Sequence, residues 1–414
     1  MKEKMEDIRN NKISPGYKRT SEGIIPVDWD FVQLQEVVRV FRGASPRPKG
    51  DPRYYGGNIP RVLIEDVTRD GKYVYPCIDS LTEEGAKKSR LLPKGSVVLS
   101  CSGTRVAIPG ILAIPACIHD GFFGFDDYKE LAPEYLYYFF SLLHEKMQSS
   151  ATTGGVFNNL TTQIMKEMYI HLPPQKEQVE IVKILNQWDK AIELKEKLIE
   201  QKKEQRKGLM QKLLTSEVRL PGFSDKWEKK KIGELLEESK VIAKDPQLDK
   251  RITVRLNLKG VCKREISTVE KEGATTQYTR KEGQFIYGKQ NLHKGAFGLI
   301  PKELDGFQSS SDIPCFDFKE GVDSLWFYYY FSRESFYTNL ENISSGTGSK
   351  RIQPKELYKL TIKLPSLKEQ QRQSKILECS DKEIYLLEKE LETYREQKQR
   401  LMQLLLTGKV RVKV

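Results

Sequence analysis

The heptapeptide LPPQKEQ at 172–178 returns with two changes as LPSLKEQ at 364–370, 192 residues later. The match continues without a gap, because 25 of the 48 positions in 172–219 are identical to those in 364–411. A helix rich in Lys and Glu can resemble itself through composition, but the gapless register and the shared Leu-Pro start favour a true repeat. A period of this length indicates two copies of one structural unit.

Each copy has the pattern of a long amphipathic helix. Apolar residues recur every 3.5 residues on average, which is typical of a coiled-coil seam. A helix of about 40 residues is roughly 60 Å long and cannot bury its apolar stripe alone. The simplest partner is the other copy, in either orientation. The predicted seam consists of Ile181, Leu185, Trp188, Ile192, Ile199, Leu209 and Leu213 in the first copy, and Leu377, Ile384, Leu387, Leu391, Tyr394, Leu401 and Leu405 in the second.

The segments that precede the two helices also correspond. Trp29 in IPVDWDFVQLQEV (25–37) aligns with Trp227 in FSDKWEKKKIGEL (223–235). Each is followed by a strand-like run, an aromatic helix, a Gly-rich loop and a short strand that leads into the long helix. These elements are predicted at 95–100, 132–147, 151–160 and 169–173 in the first copy, and at 252–258, 323–337, 344–352 and 361–365 in the second.

The sequence therefore predicts an α+β protein in which two globular, mixed α/β heads alternate with two long helices in an internal repeat. The heads share little sequence between 38 and 150 and between 236 and 343, so one fold is expected to recognise two different ligands. The predicted segments are an N-terminal segment 1–19, a first head 20–172, a first helix 173–216, a second head 217–364, and a second helix with its tail 365–414.

Composition is that of an ordinary soluble globular protein. The 414 residues carry a formal net charge of +12, which often indicates a polyanionic partner. The basic excess is spread out, however, because 20–171 has net charge −2 and 220–363 has +5. There is no secretory signal and no apolar run near the roughly 18 residues that span a bilayer. Six scattered cysteines fit reduced thiols, so a cytoplasmic location without membrane is expected.

Familiar catalytic patterns are missing. The four histidines are far apart, which argues against a metal cluster, and no adenine-methyltransferase motif occurs. GQFIYGKQ at 283–290 imitates a P-loop, but Gln290 replaces the Ser or Thr that would hold Mg²⁺, and the central residues resemble a buried strand. Asp189, Glu193 and Lys195 could be arranged as a nuclease triad, although a solvated helix face explains them better. The aromatic helices are interpreted as core. The function class that remains is binding without catalysis, and no metal site is expected.

Candidate nucleic-acid contacts lie in three polar stretches. FRGASPRPKGDPRYYGG at 41–57 combines loop composition with local basic charge, which suits phosphate contacts or a merely solvated loop. Gln and Asn side chains can pair with adenine in the major groove, although Gln290 and Asn291 could equally shape a hairpin turn. The candidates are Arg42, Arg47, Lys49, Arg53, Tyr54, Arg105, Asn158 and Asn159 in the first head, and Lys289, Gln290, Asn291, Lys294, Lys350 and Arg351 in the second.

The duplicated Ile-Pro-x-x-Trp start, the Leu-Pro-x-x-x-Glu-Gln helix start and the Leu-Met-Gln-x-Leu-Leu-Thr helix end resemble the specificity subunit of type I restriction–modification systems. The resemblance covers about residue 20 to the end. It implies two DNA target-recognition domains on an antiparallel helix pair, a split asymmetric DNA target and no catalytic residues. It also implies partners: two methylation subunits, which use S-adenosylmethionine, and restriction subunits, which use ATP and Mg²⁺. The chain itself is expected to hold no cofactor.

Two other function classes stay open from the sequence. The chain could be a scaffold in which a coiled coil joins two protein-binding heads without any role for DNA. It could also be a self-sufficient DNA enzyme with an unrecognised site. Binding to duplex DNA with a steep salt dependence separates the first hypothesis from the scaffold, and methylation by the pure chain separates it from the enzyme.

Overall fold

The computed structural model describes residues 13–101, 106–151, 160–266, 275–343 and 351–413, with no side-chain description for 147–151. The chain forms two compact units. Unit 1 is Met1–Leu194 with Glu390–Val414, and unit 2 is Lys195–Lys389. Each unit therefore contains one head and a part of both long helices.

The head of unit 1 contains thirteen strands and five helices in its described residues. The strands are β1 (Tyr17–Thr20), β2 (Gly23–Pro26), β3 (Asp30–Gln33), β4 (Arg39–Arg42), β5 (Tyr55–Val62), β6 (Tyr73–Val74), β7 (Asp79–Leu81), β8 (Arg90–Leu92), β9 (Val97–Ser100), β10 (Pro109–Leu112), β11 (Ala116–Ile118), β12 (Phe122–Asp126) and β13 (Tyr169–Leu172). The helices are α1 (Leu34–Val37), α2 (Ile64–Asp70), α3 (Glu83–Lys87), α4 (Pro133–Ala151) and α5 (Thr162–Glu167).

These strands form two mixed sheets and two ribbons. The five-stranded sheet has the order β4-β12-β9-β10-β6, in which only β10 and β6 are parallel. The four-stranded sheet has the order β7-β5-β11-β8, in which β5 and β11 are parallel. The ribbons are β1-β2 and β3-β13. The second ribbon joins the start of the head to the strand that leads into the long helix.

The long helix α6 (Gln175–Leu214) leads to the smaller head of unit 2, and α11 (Leu367–Leu406) follows that head. The head's strands are β14 (Glu228–Lys231), β15 (Leu236–Glu238), β16 (Ile252–Val254), β17 (Val261–Lys263), β18 (Gln277–Thr279), β19 (Phe285–Tyr287), β20 (Phe297–Leu299), β21 (Gln308–Ser310), β22 (Cys315–Phe318) and β23 (Thr361–Leu364). Its helices are α7 (Ile232–Leu235), α8 (Ser324–Phe331), α9 (Glu334–Tyr337) and α10 (Pro354–Lys359), with short 3-10 turns at Leu248–Lys250, Leu292–Lys294, Lys302–Leu304 and Thr338–Ile343.

The sheet of unit 2 is antiparallel throughout its described strands, in the order β15-β22-β19-β20. Three ribbons complete the head: β14-β23, β16-β17 and β18-β21. Ribbon β14-β23 occupies the place that β3-β13 has in unit 1, because each pairs the strand after the repeated Trp with the strand before a long helix. The two ribbons confirm the start and the end of the predicted common frame, whereas most of the predicted Gly-rich loops, 151–160 and 344–352, lie outside the described residues.

Both long helices have 40 residues, as the repeat predicts, and they are antiparallel. In unit 1 the start of α6, with Ile181 and Leu185, shares one buried cluster with Met402 and Leu405 near the end of α11. In unit 2 the end of α6 packs with the start of α11 in the same way, through Leu214 and Leu377. Every predicted seam residue is buried or half-buried, whereas Leu194, Tyr385 and Leu386 outside the seam are exposed.

The Glu-Gln pair of the repeated heptapeptide explains why the motif occurs twice. In unit 1 the carboxylate of Glu177, which is 1% exposed, accepts the indole N–H of Trp29 at 2.9 Å and two N–H groups of Arg411 at 2.6 and 2.8 Å. In unit 2 Glu369 accepts from Trp227 at 3.2 Å and from Arg219 at 2.8 and 2.9 Å. The buried charge is paired in both units, as burial requires.

The Gln of the motif holds the turn before the aromatic helix. In unit 1 the amide of Gln178 accepts the backbone N–H of Ala132 and donates to the carbonyls of Glu130 and Pro173, all within 2.8 Å. Gln370 makes the matching three bonds in unit 2, with the N–H of Asp323 and the carbonyls of Gly321 and Pro365. In each unit, the Glu and Gln side chains of the motif therefore hold the head against the start of the long helix that follows it.

A second repeated contact joins each aromatic helix to the helix pair. The hydroxyl of Tyr138 donates to Asp189 at 2.5 Å, and Lys398 lies 2.6 Å from the same carboxylate. In unit 2 the hydroxyl of Tyr329 donates to Asp381 at 2.8 Å, and Arg206 pairs with that carboxylate. The prediction of a solvated face is therefore wrong for Asp189, because its half-buried carboxylate holds the aromatic helix against the helix pair.

Two element predictions in the second head are wrong in detail. The strand predicted at 252–258 ends at Val254, because Asn257 and Leu258 adopt positive φ values of 57° and 58° that a strand cannot contain. The helix predicted at 323–337 is broken into α8 and α9 around Ser332 and Arg333. The aromatic residues of α4 and α8 are core, as interpreted. No described helix is long and apolar enough to cross a membrane.

Candidate nucleic-acid interface

The second head brings four of the predicted contact residues to one small cleft. Its volume is about 180 Å³, and its lining includes Lys289, Gln290, Asn291 and Arg351 together with Thr253 and Asp312. Residues 289–291 belong to the connection between β19 and β20, and Arg351 comes from the segment before α10. Amides able to pair with a base and cations able to pair with phosphate therefore face the same space.

The turn that presents these amides is built from backbone contacts. The carbonyl of Asn291 accepts the N–H groups of Lys294 at 2.9 Å and Ala296 at 3.1 Å, which closes the 3-10 turn Leu292–Lys294. Gly295 ends the turn with a φ of 72°, which favours glycine. Gln290 is exposed and Asn291 half-buried, and both lie in the hairpin connection, so turn shaping and base contact are compatible. Lys294 is exposed but does not line the cleft.

Backbone bonds tie Arg351 to this turn. The N–H of Ile352 donates to the carbonyl of Lys289 at 2.9 Å, and the hydroxyl of Tyr287 donates to the carbonyl of Ile352 at 3.0 Å. The Arg351 guanidinium lies 3.1 Å from the Asp312 carboxylate, with the two side chains 45% and 60% exposed. A pair this exposed contributes little stability, so a phosphate could replace Asp312 as the partner. Sequence reasoning missed Asp312, because no local pattern marks it.

In the first head, the basic loop is organised around Asp120, another residue that the sequence analysis missed. Arg42 Nε donates to the Asp120 carbonyl at 2.5 Å, Ser45 Oγ donates to its carboxylate at 2.5 Å, and Arg47 lies 3.9 Å from that carboxylate. The hydrogen bond from Ser45 is the main reason why the pKa of Asp120 is lowered. Arg42, Arg47 and Lys49 are exposed, so their cationic groups reach solvent on this loop.

Tyr54 requires a correction among the predicted contacts. Its side chain is 5% exposed, and the Lys88 ammonium donates to its hydroxyl at 2.5 Å and lies 4.1 Å from its ring centre. Arg53 covers the same ring at 5.3 Å and pairs with Asp51 at 2.7 Å. A ring buried under two cations supports the loop and offers no face for a base. Arg53 is exposed and stays in the predicted set.

Four predicted contacts lie outside the described residues: Arg105, Asn158, Asn159 and Lys350. They stay predictions. In the described ranges, no three His, Cys, Asp or Glu side chains are grouped closely enough to hold a metal ion. The P-loop imitation at 283–290 is a buried strand in its centre, because Phe285, Ile286 and Tyr287 are each 0% exposed.

The duplication seen in the fold appears again in the comparison with protein families. The model described as "Type I restriction modification DNA specificity domain" matches residues 26–203 and again 224–393. The chain belongs to this family. The starts of the two matches are 198 positions apart, the spacing of Trp29 and Trp227, so each match begins with one copy of the common frame.

Two curated relatives within the specificity family align over almost the whole chain, and a third over less than half. The MjaVIII specificity subunit of a type I restriction enzyme from Methanocaldococcus jannaschii is 26% identical, over 94% of this chain and 94% of its own length. The MjaX specificity subunit of the same organism, named as putative, is also 26% identical, over 96% and 97%. A third relative, the MjaIX specificity subunit, is 30% identical over 44% of this chain and 42% of its own length.

Solved structures from type I restriction–modification systems share this fold. One chain, from work on complex assembly and conformational transition of the type I R-M system, has a TM-score of 0.59 at 15% identity and covers 93% of this chain and 99% of itself. The S subunit from M. genitalium has a TM-score of 0.51 at 12% identity, with coverages of 95% and 98%. The likeness confirms the predicted architecture of two heads and a helix pair.

Proposed function

We propose that this chain is the subunit that selects the DNA target of a type I restriction–modification complex. Each head recognises one half of a bipartite, asymmetric site in duplex DNA. The chain has no catalysis of its own. It positions methylation subunits, which bind S-adenosylmethionine, and restriction subunits, which bind ATP and Mg²⁺, on the DNA that it has selected.

The observation that carries this proposal is the contrast between frame and contact surface. The two units repeat the Trp–Glu–Arg and Tyr–Asp–cation contacts nearly atom for atom. Their candidate contact surfaces differ, with a basic loop around Asp120 in unit 1 and a cleft with two amides and Arg351 in unit 2. A common frame that presents two unlike polar surfaces suits a two-part target that is not symmetric.

DNA binding by the purified chain, alone and with its methylation subunit, tests the proposal. We expect binding to duplex DNA whose affinity falls steeply between 50 and 200 mM salt, because each neutralised phosphate adds about 0.9 to the slope of log K against log [salt]. A protein-binding scaffold is expected to show no such slope. Methyl transfer by the pure chain would contradict the non-catalytic role.

Arg351→Ala is expected to weaken binding to all sequences alike. Arg351 offers a charge that acts on phosphate regardless of base, so its loss should lower the salt slope by about one unit and leave base preferences intact. Competition binding with single-base variants of the target at two salt concentrations measures both quantities. The matched control is Arg395→Ala, because Arg395 lies on α11 and its side chain is 50% exposed. A changed base preference in Arg351→Ala would refute the phosphate role.

A further inference from the structure

Unit 2 carries a basic groove beside Trp227, which shares no lining residue with the Lys289–Arg351 cleft. A space of about 710 Å³ is lined by Arg219, Lys226, Trp227, Lys229 and Lys363, together with Ser216 and Glu228. Lys226, Lys229 and Lys363 are exposed. None of these three lysines forms an ion pair with another described residue, whereas Arg219 is held by the buried Glu369.

The same groove continues toward the aromatic helix α8. A neighbouring space of about 600 Å³ shares Trp227, Lys229 and Lys363 with the first and adds Thr361, Tyr330 and Arg333. The guanidinium of Arg333 stacks 4.0 Å from the centre of the Tyr330 ring, which fixes its position in the wall. We call Lys226, Lys229, Lys363 and Arg333 the basic groove. It combines four cations with the hydroxyls of Ser216 and Thr361.

Two of these lysines oppose each other directly. In the ribbon β14-β23, Lys229 is the cross-strand partner of Lys363. Like charges in this position destabilise a two-stranded sheet. The arrangement therefore makes physical sense if an anion lies between the two ammonium groups when the protein is at work.

Unit 1 shows what the same frame contains without such a groove. The positions of Lys226, Lys229 and Lys363 are taken by Asp28, Phe31 and His171. Asp28 pairs with Arg411 at 2.8 Å, and the ring of Phe31 lies 5.4 Å from that of His171. One acid and two neighbouring rings in unit 1 thus correspond to three lysines in unit 2. The frame itself does not require the cations, so their presence points to a ligand.

We propose that the basic groove binds backbone phosphates of duplex DNA, independently of sequence. This proposal rests on the proposed DNA-binding function and adds a second contact region to unit 2. Lysine is depleted in protein–protein interfaces, whereas protein–DNA interfaces are far more positively charged. Phosphate contacts are made by Lys and Arg together with hydroxyl groups such as those of Ser216 and Thr361. An acidic protein surface is therefore the less favoured occupant.

The test compares two triple variants of the full chain that lose the same charge. Lys226→Gln, Lys229→Gln and Lys363→Gln remove the groove lysines, and Lys94→Gln, Lys183→Gln and Lys190→Gln remove three exposed lysines of unit 1. Each variant is titrated with a mixed-sequence duplex of about 40 base pairs from 50 to 200 mM salt. The slope of log K against log [salt] should be lower by about one to three units for the groove variant, because each phosphate contact adds about 0.9. The control variant should keep the wild-type slope.

A second variant guards against misfolding of the first. This variant carries the residues of unit 1 at the same positions: Lys226→Asp, Lys229→Phe and Lys363→His. The frame of unit 1 folds with these residues, so the variant should lower the slope of log K against log [salt] by a similar amount. If both groove variants keep the wild-type slope while the wild type binds DNA, the groove does not bind phosphate, and only this proposal is wrong. Absence of any DNA binding by the wild type would overturn the proposed function as well. Normal DNA binding with loss of the methylation subunit would assign the groove to a protein.

Discussion

Arg411→Met is expected to lower the free energy of unfolding of unit 1 by about 3 kcal/mol. Without Arg411, the carboxylate of Glu177, which is 1% exposed, keeps its hydrogen bond from Trp29 but loses its paired cation. Removing one partner of a buried ion pair costs about 3–5 kcal/mol. We expect the lower end because the Arg411 side chain is 35% exposed, so that water can enter its place.

Hydrogen exchange in the full chain measures this loss locally, because it reports the opening of each region separately. Arg411→Met should speed exchange in the start of α6 and in the unit 1 head. Arg219→Met, which removes the partner of Glu369, should do the same in unit 2. Arg400→Met is the control: it is 79% exposed and its pair with Glu396 is on the surface, so a change within about 0.5 kcal/mol is expected.

The charge explanation is separated from a packing explanation by a double variant. Glu177→Gln removes the buried charge but keeps an oxygen that can accept from Trp29. Added to Arg411→Met, it should restore more than half of the lost stability. If the double variant is no more stable than Arg411→Met, lost side-chain packing and not an unpaired carboxylate is the cause.

Asn291→Ala is expected to lower discrimination at one base pair of the second half-site by about 1–3 kcal/mol, which is roughly 5- to 150-fold. The Asn291 amide lines the cleft beside Lys289 and Arg351, where a paired donor and acceptor can match adenine N7 and N6. Alanine preserves the turn, because the bonds to Lys294 and Ala296 use the Asn291 backbone carbonyl. Turn shaping and base contact therefore predict different outcomes.

Competition binding with all single-base variants of the second half-site measures the effect. Lys289→Ala, one residue from Gln290 in the same cleft, is the comparison: it should weaken binding to every sequence and leave the base order unchanged. If Asn291→Ala retains the wild-type preferences, the side chain only supports the hairpin and another residue of the second head contacts the base.

Sequence periodicity predicted the parts of the fold that depend on apolar spacing. The two 40-residue helices, the seam and the aromatic core follow from apolar residues at helical spacing, whereas the orientation of the helix pair did not follow from spacing. The heptapeptide was recognised as a helix start, but the reason for its Glu and Gln was not visible. Glu177 meets Trp29 and Arg411, which are 148 and 234 positions away along the chain, and no local pattern connects them.

The candidate site was predicted less completely, for the same physical reason. Basic residues in one loop and two amides in another are visible as composition, so Arg42, Arg47, Gln290 and Asn291 could be named. Their acidic neighbours Asp120 and Asp312 lie 75 and 39 positions from Ser45 and Arg351. Tyr54 was wrongly expected at the surface because it lies in a polar loop. Its burial depends on Lys88, which is 34 positions away along the chain.

Selection of a bipartite DNA target can be read from a map of methylated adenines in the DNA of cells that make this chain with its methylation subunit. We expect methylation at one asymmetric motif of two specified parts separated by an unspecified gap. Replacing the cleft residue Asn291 by Ala should relax only the second part. Methylation at a continuous or symmetric motif, or at no motif that depends on this chain, would show that the two heads do not select a bipartite target.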